Sequence, residues 1–83
     1  MNQIDELRKE IDKIDSEIVH QLNRRIELVL SIKDYKKQNK LPVEDIAREE
    51  DVISNLEFDK LDEDFVRDIF KTIFSYSKSK QTQ

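Results

Sequence analysis

Two cations stand where a long amphipathic helix would be expected to carry apolar residues. In the stretch LNRRIELVLSIKDYKK, residues 22–37, Arg25 and Lys36 are eleven positions apart, which is about three helical turns and places them within roughly 20° of each other. Their Cα atoms would be about 16 Å apart, and long side chains that lean together leave room for a small molecule with two anionic groups. The pair therefore fits an anion-binding site, although a salt-bridged or snorkelling pair on a helix flank has the same pattern.

A third arginine can reach this site only from another chain. Arg8 lies seventeen residues before Arg25, about 100° around the helix and roughly 25 Å along it. In an antiparallel two-fold dimer of such helices, the partner's Arg8 would approach Arg25. The alternative is a local ion pair between Arg8 and Asp12, one helical turn later.

Later segments contribute further polar groups. The sequence DIAREE places Arg48 and Glu49 in the first turns of a helix that Asp45 would cap, and of these two only Glu49 suits the positive end of the helix dipole. In the last segment, Ser77 and Gln81 continue the inner face at a spacing of four residues. Hydrogen-bonding side chains therefore occupy positions on the inner face where apolar side chains would be expected.

This polar set contains no nucleophile with a base and no cluster of metal ligands. His20 has no His, Asp or Cys partner at ligand spacing, Ser77 has no recognisable general base, and the chain has no Cys and no Gly. We therefore expect no metal and no cofactor. Cations with a carboxylate and an amide favour binding, or a reaction that needs only positioning and electrostatic stabilisation.

The composition predicts an all-α fold in a single domain over residues 1–83. Of the 83 residues, 36% are hydrophobic and 41% are charged, with no Gly and one Pro, which suits long helices and leaves few residues for tight turns. The net charge of -4 disfavours a nucleic-acid partner. No apolar run approaches the length that spans a membrane, so we expect a soluble cytoplasmic protein.

One long helix and two shorter ones are predicted. The first runs from about Gln3 to Gln38, with Asn2 as its cap and Pro42 after its end. Its seam has alternating steps of three and four residues, with the polar Gln21 and Arg25 in its middle. The apolar residues on both sides of this pair are Ile4, Leu7, Ile11, Ile14, Ile18, Leu28, Ile32 and Tyr35. The shorter helices cover Ile46 to about Glu57, and about Glu63 to Lys80 after a capping Asp62, with a fraying SKSKQTQ tail.

The first helix is too long for the remaining residues to cover. At about 1.5 Å per residue it would extend for roughly 54 Å, nearly twice the diameter of a small domain. A second chain is needed to bury its seam. We therefore expect an intertwined helical-bundle homodimer with two-fold symmetry.

The sequences LRKEIDKIDSEIVHQLNRR and LPVEDIAREEDVI, with Lys36 between them, resemble the all-α class of chorismate mutases. The resemblance covers about Ile4 to Gln81. It implies a dimeric isomerase of phenylalanine and tyrosine biosynthesis that converts chorismate to prephenate by a [3,3] rearrangement. Such a reaction requires neither covalent catalysis nor proton transfer, which agrees with the missing nucleophile.

The resemblance also implies a role for each cation of the first helix. Arg8 corresponds to the arginine that is donated across the dimer, and Arg25 to the one that binds a substrate carboxylate within its own chain. Arg24 is the alternative to Arg25, but the helical phase shared with Lys36 favours Arg25. Lys36 corresponds to the lysine that contacts the ether oxygen and a carboxylate.

The other site residues follow from the same resemblance. Gln81 corresponds to the second donor to the ether oxygen, and Ser77 to a serine that contacts a carboxylate. Asp45, Arg48 and Glu49 correspond to a cluster on the second helix. In that cluster the glutamate and the backbone near the aspartate hold the ring hydroxyl.

Two other functions remain open at this point. An isochorismate-pyruvate lyase has the same fold and most of the cationic pocket. A non-catalytic helical dimer could bind an aromatic-pathway enzyme or sense a metabolite, although a scaffold has no need for both Lys36 and Gln81. A mutase could also act with an aromatic-pathway enzyme as partner.

Overall fold

In the computed structural model, which describes residues 2–42 and 45–82, the described part of the chain forms three α-helices. Helix α1 spans Gln3–Asn39, α2 spans Ile46–Ser54 and α3 spans Glu63–Gln81. The all-α prediction is confirmed, and the limits predicted for α1 and α3 agree with the observed ones to within one residue. Val43 and Glu44 of the LPVEDIAREEDVI motif, Gln83 of the polar tail and Met1 lie outside the described residues.

Local hydrogen bonds explain where α1 begins and ends. The side chain of Asn2 accepts a hydrogen bond of 2.8 Å from the backbone N–H of Asp5, which satisfies one of the free donors of the first turn. At the other end Lys40 adopts a left-handed conformation with φ of 54°, and the N–H of Leu41 donates to the carbonyl of Lys36 at 2.9 Å. Pro42 follows and cannot continue the helix.

The predicted end of α2 near Glu57 was wrong, because the helix stops at Ser54. The hydroxyl of Ser54 donates to the carbonyl of Glu50 at 2.6 Å, and Asn55 forms the C-cap. Short polar side chains of this kind bond to the local backbone and favour helix ends. A tight turn follows, closed by a 2.7 Å hydrogen bond from the N–H of Leu61 to the carbonyl of Phe58.

The position predicted for the cap of α3 is confirmed, but the capping hydrogen bond expected from the Asp62 side chain does not form. Asp62 is the N-cap residue of α3, yet its side chain makes no capping hydrogen bond. Glu63 and Asp64 in the first turn suit the positive end of the helix dipole. The start of α3 therefore depends on charge and packing more than on a cap.

The core of the single chain is small. Helix α3 packs against both α1 and α2, and the buried apolar residues of the described part are Val29, Ile53, Val66 and Phe74. The rings of Phe70 and Phe74 lie 5.8 Å apart in a tilted arrangement on α3. This core positions α3 so that its last turns face the middle of α1.

The face of α1 that packs within the chain is offset from part of the predicted seam. Leu28 and Tyr35 of that seam, which was predicted to need a second chain as cover, are exposed in the single chain, and Val29 is buried. Relative to Arg25, Leu28 and Tyr35 lie about 60° to 80° around the helix, whereas Val29 and Lys36 lie within about 40°. The face of α1 that packs within the chain therefore contains both predicted cations.

The chain is extended, and much of its apolar surface has no cover within one chain. Its dimensions are 57 × 24 × 16 Å, and the longest corresponds to the length of α1. Ile4, Leu7, Ile11, Ile14 and Ile18 are each between 52% and 56% exposed. In the described part of the chain, no helix is long and apolar enough to span a membrane.

Candidate functional site

A cavity of about 180 Å³ lies where the middle of α1, the start of α2 and the end of α3 converge. We refer to it as the central cavity. Its apolar walls are formed by Val29, Ile32, Val52 and Phe74. Seven of the eight residues predicted from the sequence line it, and these are Arg25, Lys36, Asp45, Arg48, Glu49, Ser77 and Gln81.

Arg25 is held against α3 by contacts on two sides. Its Nη1 donates a hydrogen bond of 2.7 Å to Ser77 Oγ, and the hydroxyl of Ser77 in turn donates to the carbonyl of Ile73 at 2.9 Å. The guanidinium also lies 5.7 Å from the centre of the Phe74 ring, a cation–π arrangement. These contacts fix the position of a half-buried cation in the wall of the cavity.

The neighbouring Arg24 points elsewhere. It is exposed and lies 3.4 Å from Glu27 in a surface ion pair on α1 itself. Such exposed pairs contribute little to stability. Of the two adjacent arginines, only Arg25 lines the central cavity.

Positive charge exceeds negative charge in the cavity wall. Burial, and to a smaller extent the nearby positive charge of Arg48, lower the pKa of Arg25 from its ordinary value. Among the described residues that line the cavity, four are cations and two are carboxylates, a formal surplus of two positive charges, although the chain as a whole carries -4. An acidic protein therefore contains a local site that would favour a dianion.

Lys78 is a cavity residue that the sequence analysis missed. Its Nζ lies 2.9 Å from Glu49 Oε2, in an ion pair that connects α3 to α2. Helix α3 continues to Gln81, one residue beyond its predicted end, and Ser77 on its predicted inner face is buried. The signal that could have found Lys78 is its position four residues after Phe74 and three before Gln81, which places it within about 60° of both on the inner face of the same helix.

Gln81 brings an unsatisfied polar atom to the cavity. Its Oε1 is buried and accepts no hydrogen bond from the described residues. Leaving a buried acceptor unpaired costs about 1–3 kcal/mol, and such exceptions are often found at functional sites. Because an amide can present either its oxygen or its NH₂ after a half-turn, this side chain can accept from or donate to a ligand in the cavity.

Arg8 is the predicted site residue that does not line the central cavity. It is exposed on α1, about 25 Å along the helix axis from Arg25. The local alternative is not observed either, since no ion pair between Arg8 and Asp12 forms within the described part of the chain. Within one chain Arg8 is a cation that projects from a surface where apolar residues are exposed.

The described residues include no group of three or more His, Cys, Asp or Glu side chains that could hold a metal ion. The central cavity offers a ligand three kinds of group. Its cations can bind anionic groups, a carboxylate can accept a hydrogen bond from a hydroxyl, and the amide of Gln81 can donate or accept.

Comparisons with known proteins agree with this geometry. Residues 7–82 match the family described as Chorismate mutase type II. Over 56 residues the chain is 39% identical to a bifunctional chorismate mutase/prephenate dehydratase of Aquifex aeolicus (strain VF5); this match covers 68% of the chain but only 16% of that protein. The chain therefore spans a small part of the length of this relative.

A solved structure is similar over almost the whole chain. It is that of a conserved hypothetical protein from Pyrococcus furiosus, with a TM-score of 0.81 and 38% sequence identity, covering 98% of this chain and 97% of the other. The family match extends from the first half of α1 to the end of α3 and includes every residue that lines the central cavity. This chain belongs to the chorismate mutase type II family.

Proposed function

We propose that this protein is a chorismate mutase, which converts chorismate to prephenate in phenylalanine and tyrosine biosynthesis. The observation that carries the proposal is the surplus of positive charge in the central cavity of an acidic chain that belongs to this family. Chorismate has two carboxylates, and a cavity with two more cations than carboxylates complements such a dianion. The charge of the ligand would also offset the cost of keeping Arg25 partly desolvated beside Arg48.

The rearrangement needs positioning and electrostatic stabilisation only. One C–O bond breaks while one C–C bond forms, and no proton or group passes to the protein. Apolar walls that hold the substrate in a folded conformer bring the bond-forming carbons together. Negative charge grows on the ether oxygen as its bond to carbon breaks, and Lys36 and Gln81 are assigned as donors to that oxygen.

The remaining assignments are those that the family resemblance implies, and the contacts in the cavity support them. Arg25, held by Ser77 and Phe74, is a preorganised donor to one carboxylate. Glu49 is assigned as the acceptor for the ring hydroxyl, near the backbone of Asp45 at the start of α2. Arg48 adds positive charge at the same end of the cavity.

The active form is proposed to be an intertwined homodimer. The exposed isoleucines and leucine in the first half of α1 are the apolar surface that a second copy would bury. In an antiparallel arrangement the partner's Arg8 would close the cavity and bind a carboxylate of the substrate. Each site would then be incomplete in a single chain.

Sedimentation at micromolar concentration is expected to give a dimer whose Tm rises with protein concentration. Ile14→Lys should weaken the dimer by roughly 100-fold or more, because it places like charges inside an apolar interface. Ser16→Lys, which lies about 160° around the helix from Ile14, is the matched control and should leave the dimer intact. A folded wild-type monomer at micromolar concentration would contradict the assignment.

The role of Arg8 can be tested by mixing two inactive variants. A heterodimer of an Arg8→Ala chain with an Arg25→Ala chain contains one site with both arginines and one site with neither. Random re-annealing should therefore restore about a quarter of the wild-type sites. If mixing and re-annealing recover no activity, Arg8 does not act across the interface.

Product identification distinguishes the possible activities. The purified protein should form prephenate from chorismate, measured by loss of chorismate absorbance and by conversion of prephenate to phenylpyruvate in acid. An isochorismate-pyruvate lyase would instead release salicylate from isochorismate. A non-catalytic dimer would give neither product while still binding one of these dianions or an enzyme of the pathway.

A further inference from the structure

An ion pair lines the central cavity beside the proposed hydroxyl-binding carboxylate. Lys78 and Glu49 are in contact at 2.9 Å, and their side chains are 31% and 25% exposed, so both are largely removed from water. An ion pair between Arg67 and Glu50 at 3.3 Å also joins α3 to α2, and neither of its members lines the central cavity. Both members of the Lys78–Glu49 pair line the cavity, so this pair is placed to act on a ligand there.

Glu49 poses an electrostatic problem for a site that binds a dianion. In a cavity of about 180 Å³ its carboxylate must lie close to the carboxylates of the ligand. Like charges in a partly desolvated site repel each other much more strongly than they do in water. The Glu49 carboxylate, which would accept a hydrogen bond from the ligand hydroxyl, would therefore weaken binding of the same ligand unless a cation offsets its negative charge.

We propose that Lys78 is a positioning residue that compensates Glu49. Its ammonium group holds the carboxylate of Glu49 in place and offsets its charge, so that Glu49 accepts a hydrogen bond from a ligand hydroxyl without repelling the ligand carboxylates. The inference rests on the proposed function for the class of ligand, a dicarboxylate with a ring hydroxyl. It adds a residue of α3 to the binding machinery.

The proposal predicts that Glu49→Gln rescues binding in the Lys78→Met variant, because it removes the uncompensated charge. A purely structural ion pair would not be restored by removing its second member. Lys78→Met leaves the charge of Glu49 exposed to the ligand and should weaken binding. Once Glu49 is replaced by Gln, no charge remains to be compensated. Lys78→Met should then have little further effect, so the two changes are not additive.

The test is the affinity for prephenate, measured by titration calorimetry on the wild type, Lys78→Met, Glu49→Gln and the double variant. Lys78→Met should raise Kd about tenfold, which corresponds to about 1.4 kcal/mol. The double variant should bind within about threefold of Glu49→Gln alone. Lys78→Arg, which keeps the charge, should restore most of the affinity.

Lys80→Met is the matched control. It removes the same charge from the same helix, but Lys80 lies over the ring of Tyr76 at 5.3 Å and does not line the cavity. The Kd of Lys80→Met for prephenate should remain within about twofold of the wild-type value, because effects between distant, independent sites are no larger than that. Lys78→Gln is measured in the same way if Lys78→Met does not fold by circular dichroism.

A double variant that binds prephenate no more tightly than Lys78→Met, additive losses, or an unchanged Kd in Lys78→Met would overturn the inference. Turnover of chorismate tests the proposed function separately. If the four proteins show the expected pattern of prephenate affinities but the wild type does not convert chorismate, the mutase activity is rejected and the role of Lys78 still holds. A wild type that binds no prephenate would overturn the inference as well.

Discussion

Lys36→Met is expected to lower kcat by about two to three orders of magnitude while the protein stays folded. Removing one preorganised donor to charge that develops in the transition state costs about 3 to 4 kcal/mol. Methionine keeps most of the apolar stem of Lys36, so the loss reflects the missing charge. The measurement is the initial rate of chorismate consumption at saturating substrate, with circular dichroism as the check on folding.

A smaller loss would change the interpretation of Lys36. If the variant kept more than about a tenth of the wild-type kcat, the change would be less than about 1.4 kcal/mol. Lys37→Met, at the next position of the same helix and outside the central cavity, is the matched control and should leave kcat unchanged. Similar losses in both variants would show that the effect is not specific to the cavity.

Arg25→Ala is expected to raise KM as well as lower kcat, with a loss in kcat/KM of about two to three orders of magnitude. Arg25 is assigned to a carboxylate that is charged both in the substrate and in the transition state, so ground-state binding is lost together with catalysis. The substitution also leaves Ser77 without the guanidinium that donates to it at 2.7 Å. Steady-state kinetics on chorismate separate the two parameters.

Arg24→Ala is a close control for this experiment. It removes the same charge one position earlier, from an exposed pair with Glu27, and should change kcat/KM by less than about threefold. An Arg24→Ala variant as impaired as Arg25→Ala would contradict the assignment of Arg25. Unchanged KM in Arg25→Ala would show that this residue does not bind the substrate carboxylate.

The positions within single helices could be predicted from the sequence because they depend on local rules. The caps at Asn2 and Asp45 follow from side chains that bond to nearby backbone groups. The choice of Arg25 over Arg24 follows from helical phase, and in the structure only Arg25 lines the cavity with Lys36. Both signals depend on spacing along one helix.

Contacts between helices could not be predicted in the same way. The pairing of Lys78 with Glu49 and the position of Phe74 under Arg25 depend on how α3 is rotated against its neighbours. Periodicity identifies the inner face of each helix but not which residues meet across it. The end of α2 at Ser54 was missed because hydrophobic periodicity continues past a helix end set by local polar bonds.

The dimer and the place of Arg8 depend on a second chain. The long α1 and its exposed first half indicate an apolar surface that needs cover, which the sequence also predicted. Arg8 lies on that part of α1, too far from the cavity of its own chain to reach it. Its function therefore depends on the symmetry of the assembly, which the mixing experiment tests.

The most direct test of the central claim, that the cationic cavity catalyses the rearrangement of chorismate, is prephenate formation by the purified wild-type protein. Lys36→Met, expressed and purified in parallel, corrects for any mutase carried over from the expression host. We predict saturable prephenate formation that is proportional to wild-type protein and falls by about two to three orders of magnitude in the variant. Equal rates in the two preparations, or no rate above the uncatalysed reaction, would contradict the claim.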